Sequence, residues 1–176
     1  KMEIIDIEKN IFKRLGGLGI RSNLTSKKIV IIGLGSVGSS AAAQLVKAGA
    51  TNLILIDPDT LKIHNIVRHL CSLNDLGRYK VDAVAEKIRK INPNVSLEKF
   101  KRDFIESYDM VRDKIIDADL MLISTDTPDS RMFTNYKSVE LNIPSVHISL
   151  SERARSGMVY RIIPGITGCR SCIGFG

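Results

Sequence analysis

A glycine-rich segment near the start of the chain has the residue types and spacing of a phosphate-binding turn. The segment Gly33-Leu34-Gly35-Ser36-Val37-Gly38, called the glycine loop below, directly follows the apolar run Lys28–Ile32. Asp57 and Asp59 follow a second apolar run, Leu53–Ile56. Glycines let the backbone turn sharply and approach phosphate oxygens, and the N–H groups at the start of the next helix attract an anion. The layout predicts a nucleotide site with a ribose-binding acid after the second strand.

More charged side chains follow at the ends of other predicted elements. Asn65 and Arg68 lie in an irregular polar segment, Lys80 stands at the start of a predicted helix, and Ser124-Thr125-Asp126 ends a third apolar run. Ligand groups in such sheets lie outside the carboxyl ends of the strands, so we expect these residues to face one crevice. Arg and Lys can neutralise phosphates, and Asp126 can hold Mg²⁺. The set favours a triphosphate ligand, because a nicotinamide enzyme has no use for it beyond the ribose acid.

The elements that must position these residues alternate between strands and helices. Apolar runs and helical periodicity predict strands at 28–32, 53–56, 95–100, 119–124, 145–150 and 157–163, and helices at 39–48, 79–91, 107–116 and 127–141. The alternation predicts an α/β fold, Rossmann-like and doubly wound, with a mostly parallel sheet and helices on both faces. We expect residues 1–26 to form an N-terminal helical arm and 27–176 to form the nucleotide-binding domain, cut short at its C-terminal end.

The composition is that of a globular protein with excess positive charge. The 176 residues are 44% hydrophobic and 26% charged, which suits one domain with a full core. The net charge of +7 raises the question of nucleic-acid binding, but the basic residues are spread along the chain and Trp is absent, so a phosphate-bearing ligand or an acidic protein partner is favoured. No apolar run approaches the roughly 18 residues that span a bilayer, and no leader opens the chain. We therefore expect a cytoplasmic protein without membrane contact.

The cysteines divide into a pair and a single residue. Cys169 and Cys172 form a CxxC among glycines, which is typical of a zinc knuckle more than of a redox motif. Two thiolates are half of a tetrahedral zinc site, so either a second pair lies outside this sequence or the knuckle is empty. Cys71 is predicted to be a packed thiol. Three histidines show no metal-ligand spacing and are expected at a polar rim or in the core: His64, His69 and His147.

Taken together, these motifs resemble the ThiF/MoeB/HesA family, the adenylation domain shared with ubiquitin-activating enzymes. The resemblance runs from roughly Lys27 to Cys172 and is carried, in the family's order and spacing, by the glycine loop, Asp57-x-Asp59, Asn65-Ile66-Val67-Arg68-His69, Gly77-Arg78-Tyr79-Lys80, Ile91-Asn92-Pro93 and Ser124-Thr125-Asp126. It implies adenylation of a carboxylate with ATP and Mg²⁺. The usual acceptor in the family is the C-terminal glycine of a ubiquitin-like or sulfur-carrier protein.

The resemblance also implies a role for individual residues. The implied nucleotide site consists of loop glycines, a ribose acid, phosphate-binding side chains and a magnesium ligand: Gly33, Gly35 and Gly38, Asp57 or Asp59, Asn65, Arg68 and Lys80, and Asp126. Cys169 and Cys172 match the first half of the family's zinc site.

Two departures from the family pattern stand out. The family's arginine finger, which reaches from an N-terminal arm into the partner subunit, has Arg14 as its candidate here and Arg21 as the reserve, and it implies a homodimer. Arg68-His69 stands where Arg-Gln is commoner in the family.

Several alternatives stay open at the level of sequence. The fold would also suit an NAD-dependent oxidoreductase or a non-catalytic nucleotide-binding scaffold of an activating-enzyme complex. Asn65 could cap a short helix, and Asp126 could cap the helix that begins near Thr127 and Pro128. Lys80 at a helix start opposes the helix dipole, a cost that a bound phosphate would remove.

Overall fold

The computed structural model describes residues 24–151 and 155–174 of the chain. Among these residues lie six strands and four complete α-helices, in the order β1 Lys28–Ile32, α1 Ser36–Lys47, β2 Asn52–Ile56, α2 Lys80–Ile91, β3 Ser96–Phe100, α3 Tyr108–Ile115, β4 Leu120–Ile123, α4 Pro128–Glu140, β5 Ser145–Leu150 and β6 Gly157–Ile162. The strands form one sheet in the order β3-β2-β1-β4-β5-β6. The first five strands are parallel, and β6 pairs antiparallel with β5. The predicted mostly parallel sheet is confirmed.

Helices cover both faces of the sheet, which explains why the central strands are apolar throughout. On one face, α1 and α2 pack Val46 and Ile88 against Ile31 of β1. On the other face, α3 packs Val111 against Ile32, and Phe133 of α4 joins the same cluster. The predicted doubly wound arrangement is therefore confirmed.

The direction of winding reverses between β1 and β4, and this places their carboxyl ends side by side. The N–H of Ser124, which follows β4, donates to the carbonyl of Ile32 at 2.9 Å. The Ser124 hydroxyl donates to the carbonyl of Gly33 at 2.8 Å. Reversal points of this kind open a crevice above the strand ends, where α/β proteins bind their ligands.

The structure differs from the predicted elements at two places that border this crevice. Helix α1 begins at Ser36, three positions before the predicted start, and so contains Gly38. Glycine is a poor helix former, but close packing of α1 on the glycine loop overrides that preference. The segment expected to be irregular contains two short 3₁₀ helices, Ile63–Arg68 and Leu73–Asp75.

Two other expectations concern membrane contact and the N-terminal arm. Within the described residues, every helix is too short or too polar to cross a membrane. Arg14, Arg21 and nearly all of the predicted arm lie outside the described residues.

Candidate functional site

A cavity of about 870 Å³ opens at the point where the winding reverses. It is lined by the glycine loop, the carboxyl ends of β2 and β4, the first 3₁₀ helix and the start of α2. The structure brings together here eight of the residues that the sequence singled out: Gly33, Gly35, Asp57, Asp59, Asn65, Arg68, Lys80 and Asp126. Gly38 does not line the cavity, and neither do Cys169 and Cys172.

The three glycines of the loop are glycine for different reasons. Gly33 has a φ of +86°, and a Cβ there would lie 2.8 Å from the carbonyl oxygen of Ser124. A Cβ on Gly38 would lie 1.9 Å from the carbonyl oxygen of Gly33. A Cβ on Gly35 would meet nothing within 4 Å. Packing therefore explains Gly33 and Gly38, whereas Gly35 faces open space in the cavity.

Gly35 is also the N-cap of α1, and this helix end suits an anion. No side chain caps the helix, and its first turn carries no acidic residue. The first N–H groups of a helix have no partner within the helix and carry the positive end of its dipole. Because Gly35, Ser36 and Val37 line the cavity, a phosphate in the cavity could accept from these groups.

Asp57 holds the glycine loop in place. Its carboxylate accepts from the N–H of Leu34 at 2.6 Å and from the N–H of Asp59 at 2.9 Å. The residue is only 4% exposed. Burial raises the pKa of Asp57, while the charge of Lys80 and the two N–H donors act in the opposite direction. Asp57 therefore has a structural task in the loop, besides any contact with a ribose.

Lys80 is held between two carboxylates at the floor of the cavity. Its Nζ lies 2.6 Å from Asp59 and 3.6 Å from Asp57. The Lys80 side chain is 10% exposed, whereas that of Asp59 is 61% exposed. The two carboxylates already offset the cost of placing this cation at the start of α2, a cost that a bound phosphate would also remove. An ammonium group has three N–H donors, so the third remains for a ligand.

Asn65 and Arg68 lie on the 3₁₀ helix that forms one wall. The Asn65 side-chain oxygen accepts from the N–H of Lys62 at 2.9 Å, so Asn65 caps this short helix as the alternative interpretation predicted. Arg68 is exposed and pairs with no carboxylate among the described residues. Arg68 is thus a cation in the cavity wall that is available to a ligand.

Asp126 lines the cavity without capping the helix that follows. Thr127 is the N-cap of α4, and its hydroxyl accepts from the N–H of Ser130 at 3.2 Å, as predicted. The carboxylate of Asp126 is exposed and is not used by the helix. Among the described residues, no three potential metal ligands lie together. A Mg²⁺ ion needs only one or two protein carboxylates when phosphates supply other ligands, so Asp126 fits that role.

Two side chains near the cavity make hydrogen bonds that the sequence did not predict. Arg131 donates from Nε to the carbonyl of Thr125 at 2.8 Å and so fixes the segment that carries Asp126. His69 forms a 2.7 Å hydrogen bond between Nε2 and the carbonyl of Leu34. Both bonds end on backbone carbonyls, which no side-chain spacing reveals. The adjacency of His69 to Arg68 was the only available signal.

Cys71 is a packed thiol, as the sequence predicted, whereas the zinc knuckle at Cys169 and Cys172 stays a prediction. Cys71 is buried, and burial raises the pKa of its thiol to about 11. The Sγ atoms of Cys169 and Cys172 lie 3.6 Å apart. Two bonds of about 2.3 Å to one tetrahedral zinc would place sulfurs at a similar separation. A hydrogen bond from the N–H of Cys172 lowers the pKa of Cys169. No third ligand stands beside them in the described part of the chain.

The remaining histidines lie where the sequence placed them. His64 is exposed and lines the cavity rim. His147 is 3% exposed and stacks on the ring of Tyr160, with centroids 4.7 Å apart.

Comparison with known proteins agrees with this architecture. The chain is 30% identical to ubiquitin-like modifier-activating enzyme 5 of Dictyostelium discoideum over 171 residues, covering 92% of this chain and 45% of that protein. The same enzyme of Aedes aegypti is 31% identical over 188 residues, covering 98% and 47%. The chain spans about half the length of these relatives.

Solved structures show the same fold with nucleotides bound. E. coli MccB with ATP superimposes with a TM-score of 0.80 at 25% identity, over 93% of this chain and 52% of that one. E. coli MccB with AMPCPP and MccA gives 0.82 at 25% identity, over 94% and 52%. The sequence model of the ThiF family matches residues 8–175. This chain belongs to the ThiF family.

Proposed function

We propose that the cavity binds ATP with Mg²⁺ and that the protein adenylates a carboxylate. One observation carries the proposal: the open face of Gly35 shares its cavity with Arg68 and Lys80, which are among the cations that line it. A dinucleotide needs the glycine loop and a ribose acid, but it offers no third phosphate to those cations. The solved structure of MccB with ATP, on the same fold, supports the same interpretation.

In the proposed complex, the phosphates lie between the glycine loop and the opposite wall. The N–H groups from Gly35 onward donate to oxygens in one part of the triphosphate, and Arg68 and the free donor of Lys80 neutralise the rest. Asn65 lines the same space, and its amide nitrogen has two N–H donors that could bind the phosphates. Asp57 or Asp59 accepts from the ribose hydroxyls. Asp59 is the more accessible of the two, and Asp57 has lone pairs left after its two backbone bonds.

Asp126 would hold the magnesium ion together with phosphate oxygens. When bound, the ion neutralises negative charge on the phosphates. Arg131 keeps the Asp126 segment in place through the carbonyl of Thr125.

The proposed reaction needs no side-chain nucleophile. A carboxylate oxygen of the acceptor attacks the α-phosphorus of ATP, and the bond from this phosphorus to the bridging oxygen breaks. Pyrophosphate leaves with the electron pair, and an acyl adenylate remains. The carboxylate is already ionised near neutral pH, so no strong base is required. Alignment and charge neutralisation by Arg68 and Lys80 then supply the catalysis.

The acceptor proposed is the C-terminal glycine of a ubiquitin-like or sulfur-carrier protein. The similarity to ubiquitin-like modifier-activating enzyme 5 supports this choice. The strand β5 ends at the cavity, where Ser149 and Leu150 join its lining, so an extended tail could enter along this side. A homodimer in which Arg14 reaches the partner's cavity belongs to the same proposal.

A structural zinc at the cysteine pair is a separate part of the proposal. Cys169 and Cys172 supply two thiols at a fitting separation, and the other two ligands would come from outside the described residues.

The proposal is tested by ATP–pyrophosphate exchange that depends on a ubiquitin-like protein ending in glycine. Arg68→Ala and Asp126→Ala should each lower the exchange rate by about 100-fold or more, because each removes a charge that the transition state needs. Arg112→Ala and Asp113→Ala are matched controls, since both side chains are exposed on α3 outside the cavity. They should exchange at the wild-type rate.

The unfolding curves of all four variants should match that of the wild type. Exchange at wild-type rates in both Arg68→Ala and Asp126→Ala would contradict the proposed function. Binding of ATP without exchange for any carboxylate would favour the non-catalytic scaffold instead.

A further inference from the structure

His69 makes two hydrogen bonds that together fix its tautomer. Nδ1 accepts from the N–H of Cys71 at 3.1 Å, so the proton of the neutral ring must be on Nε2. Nε2 then donates to the carbonyl of Leu34 at 2.7 Å. The neutral ring thus joins the glycine loop to the segment that follows Arg68.

Leu34 is one of the residues through which the glycine loop is held. Its side chain is fully buried in the core. Its N–H donates to Asp57, and its carbonyl accepts from His69. The peptide groups on both sides of Leu34 therefore have fixed partners, and Gly35 follows directly.

The residues after Arg68 dock on the same part of the fold. The N–H of Leu70 donates to the hydroxyl of Ser39 in α1 at 3.4 Å. Cys71 is buried in the core cluster of that face. Arg68 is the last residue of its 3₁₀ helix. His69 follows it directly, so the hydrogen bond from His69 to Leu34 connects the backbone next to Arg68 with the glycine loop.

We propose that His69 is a positioning residue that holds Arg68 and the glycine loop in register for ATP, and that it does so only while its ring is neutral. The inference rests on the proposed function, because ATP is the ligand that would touch both parts. A protonated ring carries a hydrogen on Nδ1 and can no longer accept from the N–H of Cys71. The two N–H groups would then face each other, and the segment would shift.

Burial keeps the ring of His69 neutral near pH 7. Burial lowers the pKa of His69 most. The hydrogen bond to the Leu34 carbonyl raises it, Lys80 lowers it, and Asp57 and Asp75 raise it. The net shift of the His69 pKa is downward. Both hydrogen bonds of the neutral ring are therefore present at neutral pH, and the bond to Cys71 is lost when acid protonates the ring.

The test is calorimetric titration of the 176-residue chain with MgATP at pH 7.5 and at an acid pH, the lowest at which the wild type stays folded. His69→Ala should bind about tenfold more weakly than the wild type at pH 7.5, because the loop and Arg68 lose their shared hydrogen bond. His69→Gln can donate and accept through its amide without titrating. It should keep the affinity at pH 7.5 within about threefold, and it should lose less affinity than the wild type at the acid pH.

His64→Gln is the matched control, since His64 is the other titratable ring at the cavity. It should keep the wild-type loss between the two pH values. The positioning role is overturned if His69→Ala binds as tightly as the wild type, or if His69→Gln keeps the full loss in acid. A wild type that binds no MgATP at either pH overturns the proposed function itself, and this proposal with it.

Discussion

The glycine loop and the cysteine turn (residues 169–172) are both turns that contain or adjoin glycines. The two regions differ in what accounts for their glycines. In the glycine loop, packing requires Gly33 and Gly38, whereas nothing in the described fold requires Gly35. Around the cysteine turn, Gly165 and Gly174 both have positive φ, so backbone conformation accounts for them. Where the fold does not account for the residue type at a position, a bound ligand can account for it. In the loop that position is a glycine, and in the turn it is the pair of thiols.

The two regions also differ in how they are anchored. The glycine loop is held by short bonds from Asp57, His69 and Ser124. In the cysteine turn, the N–H of Arg170 donates to Asn135 at 2.9 Å, and its guanidinium donates to the hydroxyl of Tyr160 at 2.9 Å. The loop is therefore fixed around an open face, whereas the turn is attached to a buried polar cluster next to His147.

Replacing Gly38 by alanine should have the largest effect on stability. The new Cβ would lie 1.9 Å from the carbonyl of Gly33, so α1 or the loop must move. We expect the free energy of unfolding to fall by about 3 kcal/mol or more, measured by urea denaturation. An unchanged unfolding midpoint would show that the packing account of the loop is wrong.

The free energy of unfolding should depend on pH through His147, which lies next to the polar residues that hold the cysteine turn. Burial, and next the charge of Arg170, lowers the pKa of His147 to about 4, whereas an unfolded histidine titrates near 6.5. The unfolded chain therefore binds the proton first, and stability is lost as the pH falls through this window. Between pH 7.5 and pH 5.0, the free energy of unfolding should fall by about 2 kcal/mol more in the wild type than in His147→Gln. An equal fall in the free energy of unfolding in both proteins would show that His147 does not cause the pH dependence.

Replacing Gly35 by alanine should separate binding from stability. Its Cβ meets nothing, and its φ of −69° suits alanine, so the free energy of unfolding should change by less than about 1 kcal/mol. The methyl group would occupy the space where a phosphate approaches the backbone, and MgATP affinity should fall by about tenfold or more. Calorimetry beside a urea unfolding curve measures both. Wild-type affinity in Gly35→Ala would mean that the open face does not contact the ligand.

Much of the fold followed from apolar runs alone. The strands at Lys28–Ile32 and Ser145–Leu150 have the predicted bounds, since buried strands end where charged or turn residues begin. Thr127 and Pro128 marked the start of α4 correctly, because a cap and a proline act locally. The start of α1 was missed, since the packing of Gly38 on Gly33 is a contact between two elements.

In the candidate site too, features that are local in sequence were predicted, and contacts between separate segments were not. Residue types and spacing along the chain were enough to collect Asn65, Arg68 and Lys80 at one cavity. The ion pair between Lys80 and Asp59 and the bond from His69 to Leu34 were not predicted. Both depend on how two segments meet in space, and one of them ends on a backbone carbonyl that is the same for every residue type.

The most direct test of the account is whether this chain prefers ATP to a dinucleotide. Calorimetric titration at pH 7.5 with MgATP and with NAD compares the two ligands on one protein. We predict that MgATP binds at least about tenfold more tightly than NAD, and that Arg68→Ala removes most of this preference. Equal or tighter binding of NAD, with Arg68→Ala unchanged, would contradict the claim that the cavity is built for a triphosphate.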